Sequence, residues 1–207
     1  MSLEWKTSTP LHTNTIHDEA QAFFFFFFTL LLASLIAATE NDLEEETATN
    51  PLIQETCRKA NLNDSNVQYG FCLAALQSAP DSLCADSLRE LGLISVKLVR
   101  DNITSTRCYI KYLLRDIKAG PYVRLRLDDC LDIYSDSLLA VKRIIKDYQS
   151  KRYGYANMEM SSVLDAAMAC EDGFEQEEGL MSPLMKRNDN LYMLSAMALT
   201  IINMLLF

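Results

Sequence analysis

Three apolar stripes constrain this chain more than any other feature. Val96, Val99, Ile103, Thr106, Ile110, Leu113 and Ile117 recur in alternating steps of three and four. Leu127, Leu131, Tyr134, Leu138, Val141, Ile145 and Tyr148 do the same, as do Ala156, Met160, Val163, Ala167, Cys170 and Phe174. Such steps follow the turn of an α-helix, so each run buries one helix face against its neighbours. From Asp86 onward the sequence therefore reads as long helices, broken at "KAGPY" (118–122), "QSKRYG" (149–154) and "EEGLMSP" (177–183). In the first break Gly120 suits the close of one helix and Pro121 the start of the next. A last helix covers Leu184 to Leu206. Four helices on short connectors predict an all-α, antiparallel up-down-up-down four-helix bundle.

The six cysteines are Cys57, Cys72, Cys84, Cys108, Cys130 and Cys170. None forms a C-x-x-C pair, so thioredoxin-like chemistry and the usual zinc spacings are absent. In a secreted chain the default is then disulfides. Cys130 and Cys170 flank the 149–154 break almost symmetrically, each roughly 30 Å from the turn on adjacent helices, and can meet. Cys57 and Cys72 bracket the polar "NLNDSN" (61–66), a good turn for a helical hairpin. Cys84 and Cys108 would stand about 36 Å apart on one helix and cannot bond to each other. They are expected as free thiols, with Cys108 buried beside the seam. Chain entropy gives roughly 3 kcal/mol for the smaller bridge and about 4 kcal/mol for the larger.

Secretion itself is read from "FFFFFFTLLLASLIAA" (23–38). This run falls short of the ~20 residues a membrane-spanning helix needs, and it matches the apolar core of a secretory signal. It ends in small residues before the acidic "TENDLEEETATN", which places cleavage after Ala37 or Ala38. The segment before it carries Glu4, Asp18 and Glu19 against Lys6, not a basic leader, so a signal anchor is the rival reading. Residues 1–38 are thus read as an N-terminal extension and secretory signal, 39–49 as an acidic linker and 50–207 as the folded domain.

Cleavage would remove both histidines, His12 and His17. Ser-His-Asp and Cys-His nucleophile pairs are then excluded, as is His-ligated zinc. Glycines are too scattered to cradle a phosphate, and no cofactor or metal is expected. A net charge of -9 argues against nucleic acid and anionic membrane surfaces as partners.

Several segments together resemble the plant invertase and pectin methylesterase inhibitors, with the strongest likeness to the invertase-inhibitor-type pollen allergens. The carriers are "ETC…YGFC" (55–72), "LRELGLISVKL" (88–98), "DDCLDIYSDSLLAVK" (128–142), "YGYANMEMSSVLDAAMACEDGF" (153–174) and "SPLMKRNDNLYMLSAMALTIINML" (182–205). The resemblance covers about Asn50 to Leu206. It implies a helical hairpin packed on a four-helix bundle, and bridges Cys57–Cys72 and Cys130–Cys170. It also implies an apoplastic or cell-wall location and stoichiometric inhibition of a cell-wall or vacuolar acid invertase, or of a pectin methylesterase. Cys84 and Cys108 are not bridge positions of that family. Where its invertase inhibitors carry Pro-Lys-Phe, this chain has Lys151, Arg152 and Tyr153, which keep the basic and aromatic character without the proline.

Each candidate residue has a plainer reading beside the functional one. Lys151, Arg152 and Tyr153 form either a basic and aromatic plug for an acidic sugar cleft or ordinary helix-end chemistry, in which cations favour the C-terminal dipole. Asp128, Asp129, Asp132 and Asp136 could suggest glycoside hydrolysis, but no second element brings an opposing carboxylate, so a solvated face is expected. Glu175, Glu177 and Glu178 read the same way. The apolar "LYMLSAMALTIINMLLF" (191–207) is read as the fourth core helix rather than a membrane or lipid anchor. Asn63 and Asn102 begin glycosylation acceptor patterns. Three function classes follow: an inhibitor of a carbohydrate enzyme, a secreted helical carrier or structural protein, and, least compatible with the missing histidines, an enzyme.

Overall fold

The computed structural model describes residues 50–115, 120–176 and 181–206. The expected signal and linker, Ile117, Glu177 and Glu178 lie outside them. The helices are α1 (Pro51–Asn63), α2 (Tyr69–Gln77), α3 (Leu88–Leu114), α4 (Pro121–Gln149), α5 (Tyr153–Glu175) and α6 (Met185–Asn203), with a 3₁₀ turn at Pro80–Cys84. No strand occurs among the described residues.

Local chemistry sets the helix starts. The Asn50 side chain accepts from the Leu52 N–H at 3.0 Å, and Pro51 follows in the first turn. Ser87 caps α3 by accepting from the Glu90 N–H, while the Glu90 carboxylate reaches back to the Asp86 N–H at 3.0 Å. The first bond satisfies a donor that the helix start would leave unpaired, and the second ties the residue before the cap to the first turn. Gly120 precedes Pro121 as the N-cap of α4, with φ -61°. It therefore opens that helix, and no left-handed closing role falls to it.

The stripes become the bundle core. Val96, Val99, Ile103, Thr106 and Ile110 of α3 are buried, as are Leu127, Tyr134, Val141 and Tyr148 of α4 and every stripe residue of α5. Pairings across the helices run in opposite directions along the chain, which fixes the topology. Tyr122 bonds the Gly173 carbonyl while Arg143 pairs with Glu159, so α4 and α5 are antiparallel. Arg107 with Ser135 and Tyr148 with Arg89 do the same for α3 and α4. Asn188 with Glu171 and Asn157 with Asn203 align α6 against α5. Arg187 stacking on Tyr109 closes the ring between α6 and α3. The bundle is up-down-up-down.

The α1–α2 hairpin packs on α3 and α6 and is closed by Cys57–Cys72, with Cα atoms 5.6 Å apart. Cys130–Cys170 links α4 to α5, with Cα atoms 5.1 Å apart. Both bridges are those expected. Cys84 and Cys108 are free, but their placement corrects the sequence reading. Cys84 ends the 3₁₀ turn and is not on the α3 helix. Cys108 is exposed rather than buried. It lies two residues from both Thr106 and Ile110, and two residues are about 200° of helix rotation, so it faces away from the stripe.

The segment read as a fourth core helix is one. Leu191, Leu194, Ser195, Ala196, Met197, Ala198, Thr200, Ile201 and Ile202 are buried. No helix among the described residues is long and apolar enough to cross a membrane.

Candidate functional site

The 149–154 break is a tightly closed helix end. The Lys151 N–H donates to the Tyr148 carbonyl at 3.0 Å and the Arg152 N–H to the Asp147 carbonyl at 2.8 Å. These are the two bonds of a Schellman closure, which satisfy carbonyls that α4 would otherwise leave open. The closure requires a left-handed residue after the cap, normally Gly. Here that residue is Lys151, with φ 59°, the one non-glycine at positive φ among the described residues. A side chain in that region costs about 1–2 kcal/mol.

Arg152 and Tyr153 follow from this closure. The Arg152 guanidinium pairs with the Asp147 carboxylate, one turn back on α4. Tyr153 starts α5 and is half-buried, its ring meeting Tyr148 edge-on with centroids 5.2 Å apart. Tyr148 is fully buried, and its hydroxyl donates to the Arg89 carbonyl at 2.8 Å. Burial pushes its phenol above the ordinary tyrosine range, so it stays a protonated donor. The Arg89 guanidinium in turn donates to the Gln149 carbonyl at 3.3 Å. The connector is thus tied to the core through α4 and α3.

Charge is concentrated at this end. Lys142, Arg143, Lys146, Lys151 and Arg152 stand within eleven residues that hold a single acid, Asp147, in a chain of net charge -9. The first half of α4 carries Arg124 and Arg126 followed by Asp128, Asp129, Asp132 and Asp136, and all four acids are exposed. Asp129 pairs with Arg126 at 3.1 Å. Lys146 lies in the last turn of α4, where a cation favours the helix dipole, whereas no acid lies in its first turn. Lys151, Arg152 and Tyr153 line an open hollow of about 430 Å³ together with Tyr155, Met158 and Leu206. The last three were missed in the sequence. Their signal was position: Tyr155 and Met158 lie three apart on α5, off its buried stripe.

A larger depression, about 830 Å³, lies where the hairpin meets the bundle and is bordered by Lys59, Asn63, Asp64, Leu88, Thr200 and Asn203. Of its polar groups, Thr200 reaches Asp64 at 3.4 Å, while Lys59 and Asn203 pair with Glu55 and Asn157 beside it. Asn63 is exposed there, whereas Asn102 is half-buried on α3 with its carbonyl oxygen enclosed and unbonded. Among the described residues no group of three or more His, Cys, Asp or Glu is placed to hold a metal ion.

The sequence pattern of the plant invertase/pectin methylesterase inhibitors matches residues 51–201. The chain belongs to that family. Similar proteins include the "Putative invertase inhibitor" of Platanus acerifolia, 36% identical over 74% of this chain and 85% of the relative. The cell wall / vacuolar inhibitor of fructosidase 2 of Arabidopsis thaliana is 30% identical over 66% of this chain and 72% of its own length. Pectinesterase inhibitor 12 of the same plant is 32% identical over 74% and 87%. The crystal structure of a pectin methylesterase inhibitor from Arabidopsis thaliana superposes with a TM-score of 0.54 at 22% identity, covering 72% of this chain and 95% of that one. A mutant form of such an inhibitor gives 0.58, covering 66% and 89%. At that identity the likeness shows that the structures share the fold.

Proposed function

We propose that this chain is a secreted inhibitor that blocks the substrate cleft of a plant acid invertase, one molecule to one, by inserting the 151–153 connector. The observation that carries the reading is the closed helix end. It presents Lys151 and Arg152 to solvent from a backbone fixed by two Schellman bonds and by Tyr153 on Tyr148. A cleft that hydrolyses sugars is lined by carboxylates. Arg152 pairs with Asp147 through a guanidinium that is half exposed, whereas the Asp147 side chain is only 16% exposed. The exposed part of the guanidinium, which has donors to spare, can meet a carboxylate of the target while Asp147 keeps its partner. The inhibitor itself performs no chemistry. Because the helices are rigid and bridged, little ordering is required on binding.

The named relatives include inhibitors directed at either enzyme, so pectin methylesterase is the second reading. The exposed Asp128, Asp129, Asp132 and Asp136 favour it, since they offer an acidic face to a basic enzyme. Secretion rests on the 23–38 run, with a mature start near Ala38 or Thr39 checked by N-terminal sequencing.

Side-by-side titration of both enzymes with correctly bridged protein tests the assignment. Stoichiometric loss of invertase activity supports the first reading. Loss of esterase activity alone, slowed by reversing the acidic face, supports the second. Full activity of both from mildly acidic to neutral pH turns the assignment to a carrier or structural protein.

A further inference from the structure

We infer that the target-binding surface extends past the connector onto an apolar shelf formed by Tyr155, Met158 and Leu206. Its occupant is an apolar side chain that the target enzyme presents beside its acidic cleft; the inference rests on the function proposed above. Single exposed apolar residues mean little on any protein. These three converge instead on the one hollow that Lys151, Arg152 and Tyr153 also line. Tyr155 and Met158 are 61% and 62% exposed among the described residues.

The shape and charge of the hollow choose among occupants. At about 430 Å³ it is open to solvent and would leave much of a small molecule uncovered, whereas ligand pockets enclose most of theirs. A second copy docked about a twofold axis would bring Lys151 and Arg152 of each chain toward one another, because such a contact uses the same patch twice. Like charges so placed oppose association. A different protein with carboxylates flanking an apolar side chain satisfies both halves of the surface. Tyr is a favoured interface anchor, and the flexible Met side chain adapts to what it meets.

The test compares inhibition of invertase and pectin methylesterase by the full bridged chain and by Tyr155→Ala, Met158→Asp and Leu125→Asp. Leu125 is an exposed apolar control on α4, about 36 Å of helix from the connector end. All three side chains are exposed, so melting temperatures should stay close to that of the parent and show that folding is intact. The expected result is inhibition weakened about 30-fold or more by Tyr155→Ala and by Met158→Asp, a hot-spot-sized loss, with Leu125→Asp unchanged. Retention of full potency by both shelf variants overturns the shelf alone. A parent chain that inhibits neither enzyme overturns the proposed function and the shelf together. A dimer in sedimentation that Met158→Asp dissociates, with inhibition unaltered, assigns the shelf to self-association and overturns it as a target surface.

Discussion

Tyr148 of α4 occupies the space that Gly92 of α3 leaves empty. A Cβ built on Gly92 would overlap the Tyr148 hydroxyl, stand 3.0 Å from its Cζ and come within 3.1 Å of Ile201. The absent side chain lets the phenol reach the Arg89 carbonyl, and the same ring supports Tyr153 at the connector. A glycine inside one helix thus sets the position of a candidate binding residue on another.

Gly92→Ala should therefore destabilise the fold by about 1–3 kcal/mol through overpacking, even though Ala favours helix by about 1 kcal/mol over Gly. Chemical denaturation measures it. Tyr148→Phe removes the overlapping hydroxyl, so the double variant should lose less than the sum of the two single ones. Strict additivity would contradict the interlock.

Lys151→Gly relieves the left-handed strain and should raise stability by about 1 kcal/mol. If the Lys151 ammonium meets the target, the same change weakens inhibition. A variant that melts higher and inhibits less shows that stability is given up here for binding. A variant that melts lower shows that the Lys151 side chain supports the fold.

Alkaline pH should unfold the protein through two phenols. Burial, the largest cause, raises the Tyr134 phenol above its ordinary range, and it does the same at Tyr148. Tyr134 donates to Asn188 at 2.7 Å across the bundle, and Asn188 donates onward to Glu171. The unfolded chain releases these protons near pH ~10 while the folded chain holds them. Their contribution is therefore complete below that pH and is lost as pH rises toward the folded values. Ultraviolet titration of the phenols against a circular-dichroism melt checks it. Ionisation of all nine tyrosines below pH ~10 without unfolding would contradict it.

Thiol chemistry should separate the six cysteines. Iodoacetamide should label Cys84 and Cys108 without denaturant, because both are exposed. Unreduced peptide maps should recover Cys57–Cys72 and Cys130–Cys170. Reduction should lower the melting temperature sharply, with roughly 3 kcal/mol at stake for the shorter loop and about 4 kcal/mol for the longer. A major Cys84–Cys130 or Cys108–Cys170 peptide would contradict the helix register.

Much of this fold was legible because it is written in local periodicity. The α5 stripe is buried at every position, and equal spacing from the 149–154 break placed Cys130 opposite Cys170. What escaped was three-dimensional. No pattern along α3 shows that Gly92 makes room for a tyrosine 56 residues later. Cys108 was misplaced by supposing that a free cysteine prefers the interior, although its phase against Thr106 and Ile110 already turned it outward. Of the site, the cations and Tyr153 were visible as an exposed-looking connector. The left-handed backbone at Lys151, the Asp147 partner and Leu206 in the same hollow depend on how the helix ends come together.

The central claim is that the 151–153 connector is the inhibitory element. Titrating an acid invertase with the parent chain and with Arg152→Ala/Tyr153→Ala tests it most directly. The account predicts stoichiometric inhibition by the parent and a loss of roughly 2–4 kcal/mol of binding in the variant, measured well below a melting temperature that loss of the Tyr153–Tyr148 contact lowers. Equal inhibition by the two proteins would contradict it.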